Sequence, residues 1–236
     1  YLDRYDKIYQ NVHLNNVMFM FGTHHYKPLP VSGINFDLPK VAYTFDASRG
    51  NYVIKPTGGA RSLGILFIDK PINLRELLSK MRPLRSNPKT INEQYFELWE
   101  SFGLRYHVGT ENRPNEMAKV LSENTLVIQE MNPYSDVVEY RAISGTSQPL
   151  LFSRDHLHGN RNNIVDTIIA SDGEMDSEVY NEIMMVISSG KLMTYGSHDI
   201  WYSHAAKKWG IYEYQTQYGH DYIPAQKHLE FMKDVI

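Results

Sequence analysis

Apolar and polar positions along this chain change period several times, and each change suggests an element. Residues 1–21 place Tyr5, Ile8, Tyr9, Val12 and Asn16 at helical spacing, which predicts a helix with these positions on its packed side. Residues 31–50 read as irregular, punctuated by Gly33, Pro39 and Gly50. Two short branched runs, Tyr52–Ile54 and Ile65–Ile68, predict strands joined by a glycine-rich turn. Asn73 to Met81 predicts a short helix, with Asn73 as N-cap and Glu76 at the capping-box position. Residues 83–115 are broken by Pro83, Pro88 and Pro114, with helical character at 93–102. They are expected to be a variable insertion that carries substrate specificity. Strands follow at 124–131, 137–143 and 149–154, then an amphipathic helix at 174–189 that buries Val179, Ile183, Val186 and Ile187. Gly190 reads as its C-terminal stop. Two last strands, 194–202 and 208–215, flank a turn, and 224–236 reads as a short amphipathic helix. Runs of strand and helix in this order predict an α+β fold of mainly antiparallel sheet.

The chemistry concentrates at the turns and in the last hairpin. Gly58, Gly59 and Gly64 let the backbone come close to a ligand, and successive N–H groups in such a turn form a concave anion site. Arg61 and Ser62 lie in that turn, with Lys55 at its mouth. The bland alternative is an ordinary hairpin with a solvated lysine. Asp199 and Glu213 fall on strands joined by a hairpin, and Gln215 lies two residues beyond Glu213. Two carboxylates and an amide suit Mg²⁺, which keeps waters and phosphate oxygens in its other positions; read alone, the pair is first an exposed hairpin with two ordinary acids. Glu139 and Arg141, two apart on a strand, share a face. Against a nucleotide, one accepts from sugar hydroxyls and the other meets phosphate. Asp6–Lys7 reads by itself as a surface ion pair. His24–His25 is a weak metal fragment, because adjacent helical residues do not share a face. Asp155–Asn163, with His156, His158 and Asn160, reads as a polar loop rather than a nuclease site. Arg82, Arg85, Lys89 and Arg105 make their region locally basic, as a solvated face before an anion site.

Composition narrows the classes. The chain has 236 residues, 42% apolar and 22% charged, with a net charge of -3. That balance carries no global basic footprint for nucleic acid and leaves a local basic groove open. With no cysteine, disulfides, thiolate metal sites and cysteine nucleophiles are excluded, which fits a reducing, cytoplasmic setting. No apolar run reaches the roughly 18 residues of a membrane span, so no membrane partner is expected.

The order of these parts resembles the ATP-grasp superfamily over roughly residues 1–220. Lys-Pro at 55–56 opens a Gly/Ser-rich hairpin; a strand ends in Gln129-Glu130, Glu139-x-Arg141 follows, and Asp199 and Glu213-x-Gln215 close the series. The resemblance implies two α+β lobes of mainly antiparallel sheet clasping ATP with Mg²⁺. The first lobe is expected over 1–123, its hairpin part over about 40–123, and the second over 124–236. Lys7 is similar to the family's first phosphate lysine and Lys55 matches the second. Gly58 to Gly64 would cover the phosphates, and Gln129, Glu130 and Met131 would meet adenine, partly through backbone groups. Glu139 would stand near the ribose. Arg141 or Arg154 would neutralise phosphate or acyl-phosphate charge, and Asp199 and Glu213 match the metal acids. Gln215 stands where the family has Asn, and Tyr218-Gly219-His220 replaces its usual Pro-Gly. The family's separate N-terminal substrate domain is expected to be absent or reduced. The implied activity is ATP-dependent carboxylate–amine ligation on a small-molecule, peptide or modified-base substrate. Alternatives are a phosphotransferase on the same fold, or a degenerate scaffold that binds nucleotide or a partner.

Overall fold

A computed structural model describes residues 7–34, 36, 50–57, 63–108, 116–144, 150–156, 164–168, 175–194 and 196–215. The chain divides into two compact units, residues 1–9 with 29–133, and 10–28 with 134–236. Each is built on a five-stranded antiparallel sheet with helices on one face, so the fold is α+β as expected. Among the described residues no helix is long and apolar enough to cross a membrane.

The first sheet runs β1 (Val31–Ile34), β5 (Leu126–Glu130), β2 (Tyr52–Pro56), β3 (Leu63–Ile68), β4 (Arg105–Val108). Three helices pack on it: α2 (Leu74–Ser86), α3 (Asn92–Ser101) and α4 (Glu116–Glu123). Strand alternation sends Tyr52 and Ile54 of β2 and Leu126 and Ile128 of β5 into this core. Asn73 caps α2 as expected, its Oδ1 accepting from the Glu76 amide at 3.1 Å. α2 continues five residues beyond Met81, through Pro83. Proline removes one amide near the end of the helix, and the apolar face of Leu74, Leu77, Leu78 and Met81 still holds it to the core.

The region expected as a variable insertion is structural. β4 closes one edge of the sheet on β3, and Tyr95 and Trp99 of α3 are fully buried. Pro83 lies within α2, and Pro88 falls in the turn between α2 and α3. Two buried polar groups there differ: one is hydrogen-bonded, the other is kept neutral. The Asn92 carbonyl oxygen accepts from the Ala118 amide at 2.9 Å, joining α3 to α4. Burial pushes the Tyr95 phenol up to about 12, so it stays neutral. Within the stretch read as irregular, Val31–Ile34 forms an edge strand on β5. Its four residues are too few for a periodic signal. β5, expected to open the second lobe, lies inside the first sheet between β1 and β2. A boundary placed from local pattern does not register that non-local pairing.

The second sheet runs β10 (Lys208–Gln215), β9 (Gly196–Ser203), β6 (Val137–Ser144), β7 (Leu150–His156), β8 (Ile164–Ile168). Its core takes α5 (Ser177–Ser188) and most of α1 (Lys7–Phe21). All four apolar positions expected of α5 are buried, Asp176 caps it, and Gly190 follows at φ +65°. β8 was not expected. The face of α1 is a correction. Gln10, Leu14, Val17 and Met18 are buried, while Tyr9 and Val12 are exposed. That helix is apolar on several sides, so its periodicity has no strong direction. Its packed face is decided by the partner: Gln10 Nε2 donates to the Tyr214 carbonyl at 2.8 Å.

Candidate functional site

The site grows from one irregularity in β10. The core side chains of the central strands alternate as pleating requires: Tyr140 and Ala142 on β6, His198, Ile200 and Tyr202 on β9. On β10 the core residues are Trp209, Ile211 and then Tyr214, so the phase breaks. A β-bulge between Ile211 and Glu213 absorbs Tyr212, and Ile211 and Glu213, two apart, take opposite faces. Without it, Glu213 would follow Ile211 into the apolar core.

With it, three charged residues stand in one cross-strand row. Arg141 pairs with Asp199, and Asp199 pairs with Glu213, on adjacent strands of the sheet face turned away from α5. Arg141 Nε donates to Asp199 Oδ1 at 3.0 Å, and the two side chains are only 10% and 15% exposed. A pair so shielded is held firmly, because losing either partner would leave a desolvated charge. Glu139 lies one pleat along on β6, with Arg154 opposite it on β7 and Trp201 opposite it on β9. Gln215 lies opposite Ser197.

Aromatic rings bound this row. Trp201 is fully buried beside Gly210, where an added Cβ would come within 2.7 Å of the indole. Tyr134 and Tyr212 place their rings 5.8 and 6.5 Å from it. Beneath Asp199, on the core face, burial pushes the His198 imidazole down to about 4, so it is neutral at pH 7. The charged row therefore rests on an uncharged support.

The other expected residues lie in the first unit. Lys55 and Gln129 alternate away from the helix-covered face, and Lys55 pairs with Val127. The Glu130 amide donates to the Pro30 carbonyl at 3.1 Å, and the Met131 amide to the Asn51 carbonyl at 2.9 Å. Both linker amides are engaged within the protein. Lys7 is the first residue of α1. Gly58, Gly59, Arg61, Ser62, His158, Asn160, Tyr218–His220 and the expected closing helix lie outside the described residues.

The histidine pair is anchored through its backbone. The amides of His24 and His25 donate to the Glu182 carboxylate, which also accepts from Trp209 Nε1. One acid of α5 thus ties down the turn after α1 and the start of β10. Among the described residues, no three His, Asp or Glu side chains gather as a metal site. The donor set that fits a metal is the Asp199–Glu213 pair, which suits Mg²⁺ because that ion binds through one or two carboxylates and takes substrate phosphates for much of the rest.

Sequence reading missed the bulge and the Trp201–Gly210 contact. A signal for the bulge was present: apolar positions 209, 211 and 214 change parity inside one strand.

No protein-family model and no curated protein matches this sequence. Solved structures do match its fold. The D-alanine–D-alanine ligase of Helicobacter pylori aligns over 98% of this chain and 59% of its own, at TM-score 0.53 and 10% identity. That of Coxiella burnetii aligns over 98% and 55%, at 0.50 and 10%. The ATP-grasp ligase PsnB, solved with the precursor peptide PsnA2 and AMPPNP, aligns over 98% and 59%, at 0.47 and 13%. The chain thus spans somewhat over half the length of these enzymes. Its fold is similar to that of the two D-alanine–D-alanine ligases, in line with the order of parts read from the sequence.

Proposed function

Starting from an ATP-grasp fold, we propose that the chain is the catalytic part of an ATP-dependent ligase joining a carboxylate to an amine. The observation that carries this reading is the cross-strand row Arg141–Asp199–Glu213, which a bulge assembles on the sheet face away from the core. Two adjacent acids beside a fixed guanidinium suit a polyphosphate that arrives with Mg²⁺.

Asp199 and Glu213 would hold the Mg²⁺, which when bound draws off charge from phosphate oxygens. Arg141 keeps Asp199 in place and offers positive charge beside the row. Lys55 and the glycine-rich hairpin would bind the phosphates, and Gln129 to Met131 the base. Glu139 is assigned to the ribose, and Arg154, with Arg141, to the transferred phosphoryl group. A substrate carboxylate oxygen attacks the γ-phosphorus and ADP leaves, giving an acyl phosphate. The amine then attacks the acyl carbon, phosphate leaves, and the amine proton passes to solvent. The chain's work in both steps is positioning and charge neutralisation. The amine and acid would belong to a small molecule, a peptide or a modified base.

A second reading, a nucleotide-binding scaffold without turnover, draws on the same ion pair: Arg141 already occupies one oxygen of Asp199. Calorimetry with ATP, with and without Mg²⁺, on wild type, Lys55→Ala and Glu213→Ala separates the two when joined to an ADP-release screen of acid and amine pairs. Ligation requires ATP binding weakened by Lys55→Ala, Mg²⁺ dependence removed by Glu213→Ala, and ADP release only with both substrates. ATP binding with no release for any pair favours the scaffold. A folded wild type that does not bind ATP ends both.

A further inference from the structure

Among the described residues, α1 differs from α2, α3, α4 and α5 in charge. Each of those four helices carries at least two acidic or basic side chains. From Ile8 to Phe21, α1 carries no Lys, Arg, Asp or Glu. A helix with one side in water normally puts charge there, and one that is apolar on several sides is normally covered on several sides. The core takes one side of α1, through Leu14, Val17 and Met18. On the opposite side Val12 is 55% exposed, Phe19 87% and Met20 68%, and Asn16 lies exposed between them. Val12, Asn16 and Phe19 stand at i, i+4 and i+7, so they form one stripe. Single exposed apolar residues are ordinary on a protein surface. A stripe of them without any charge marks a contact surface.

The chain itself brings an occupant to this place. Residues 10–28 and 134–236 belong to one compact unit. The last strand, β10, ends at Gln215 against α1: the Tyr214 carbonyl accepts from Gln10, and the Tyr214 ring centre stands 6.3 Å from that of His13. The chain therefore leaves the second sheet beside the first half of α1. Residues 216–223 can span up to roughly 26 Å when extended. Gln10 to Met20 is about 15 Å along the helix, so residues 224–236 can reach the whole stripe. Their sequence fits it. Pro224 suits the first position of a helix. Ala225, Leu229, Met232 and Ile236 recur at i, i+4, i+7 and i+11, while Gln226, Lys227, Glu230, Lys233 and Asp234 fall on the other side. As a helix the segment would be roughly 20 Å long, enough to run over the roughly 12 Å from Val12 to Met20. The charge that α1 lacks stands on the polar side of this segment.

We infer that residues 224–236 form a helix that lies on the exposed stripe of α1, with Leu229 and Met232 against Val12, Asn16 and Phe19 and its charged side to water. The inference does not depend on the ligase reading.

The chain has no cysteine, so a cysteine placed in it reports alone. The test is the rate at which a maleimide labels Asn16→Cys in the full chain, with Ser79→Cys on the exposed side of α2 as the open reference. Asn16→Cys should react at least tenfold more slowly than the reference. Adding Leu229→Glu and Met232→Glu should bring it back to the reference rate. Oxidation of Asn16→Cys combined with Met232→Cys should give a disulfide within one chain. Asn16→Cys combined with Asp234→Cys, on the polar side of the segment, should give at least tenfold less of it. The inference is overturned if Asn16→Cys labels as fast as the reference, which leaves the stripe open. It is equally overturned if protection persists with Leu229→Glu and Met232→Glu, which places another segment there. Protection lost on dilution, with the disulfide joining two chains, would make the stripe a contact between copies and also overturn it. The disulfide pair decides the matter should the chain with Leu229→Glu and Met232→Glu fail to fold.

Discussion

Each sheet contains a β-bulge in one of its strands, and the two bulges serve opposite ends. In β3 the register shifts between Leu63 and Ile65 around Gly64, at φ +71°. The shift sends Leu63 into the core with Leu66 and Ile68. The glycine also lets the strand approach α4, since an added Cβ would stand 2.9 Å from Leu121 Cδ2. In β10 the extra residue is Tyr212, and the shift keeps an acid out of the core and beside Asp199. One irregularity improves packing; the other aims a charge. A bulge is therefore not by itself a mark of function. What separates the two is the residue whose face it decides.

The largest expected effect tests that division at β10. Glu213→Gln removes the charge the bulge aims and keeps the shape. ATP-dependent turnover should fall by about 10²–10³-fold, the size expected for losing one preorganised electrostatic partner, with the thermal midpoint unchanged. A stability loss with turnover retained would make the β10 bulge a packing device like its counterpart.

Next comes the support beneath the row. His198 is buried and neutral in the folded state, with its pKa pushed down to about 4, whereas an unfolded histidine titrates near 6.5. Above pH 6.5 neither state is protonated and stability is complete. As pH falls from 6.5 towards 4 the unfolded state takes up a proton that the folded state refuses, and stability drops. The loss approaches roughly 3 kcal/mol by pH 4. Urea unfolding at pH 7 and pH 4.5 should show this slope in the wild type and a flatter one in His198→Leu. Equal slopes would mean that His198 does not stay neutral in the fold.

The smallest effect belongs to the packing bulge. Gly64→Ala forces a side chain into a left-handed backbone and against Leu121. It should cost about 2 kcal/mol, read as a shift in the denaturation midpoint. Mg²⁺-dependent nucleotide binding measured below that midpoint should be unchanged. A loss of binding at constant stability would give this bulge a role in the site.

The comparison also marks how far the sequence reached. β10 was bounded correctly at Lys208 and Gln215, and the buried stripe of α5 was read residue by residue. Asp199 and Glu213 were paired from their places on one hairpin. These are local readings: period, caps and short turns depend on neighbours a few positions away. The packed face of α1 was not legible, because Leu14, Val17 and Met18 compete with other apolar residues until Gln10 finds the Tyr214 carbonyl. Nor was the place of β5 between β1 and β2, which brings together segments distant in sequence.

By itself the sequence determined the α+β class, the buried stripe of α5 and the bounds of β10, and it offered polar residues as candidates for a nucleotide and a metal. The tertiary structure decided which of those residues share a surface. Arg141 reaches Asp199 across 58 positions, and that meeting depends on strand register, which slips every side chain to the other face if it moves by one. Register in turn is set by which apolar side chains fill a common core, a property of the whole sheet that no single segment contains.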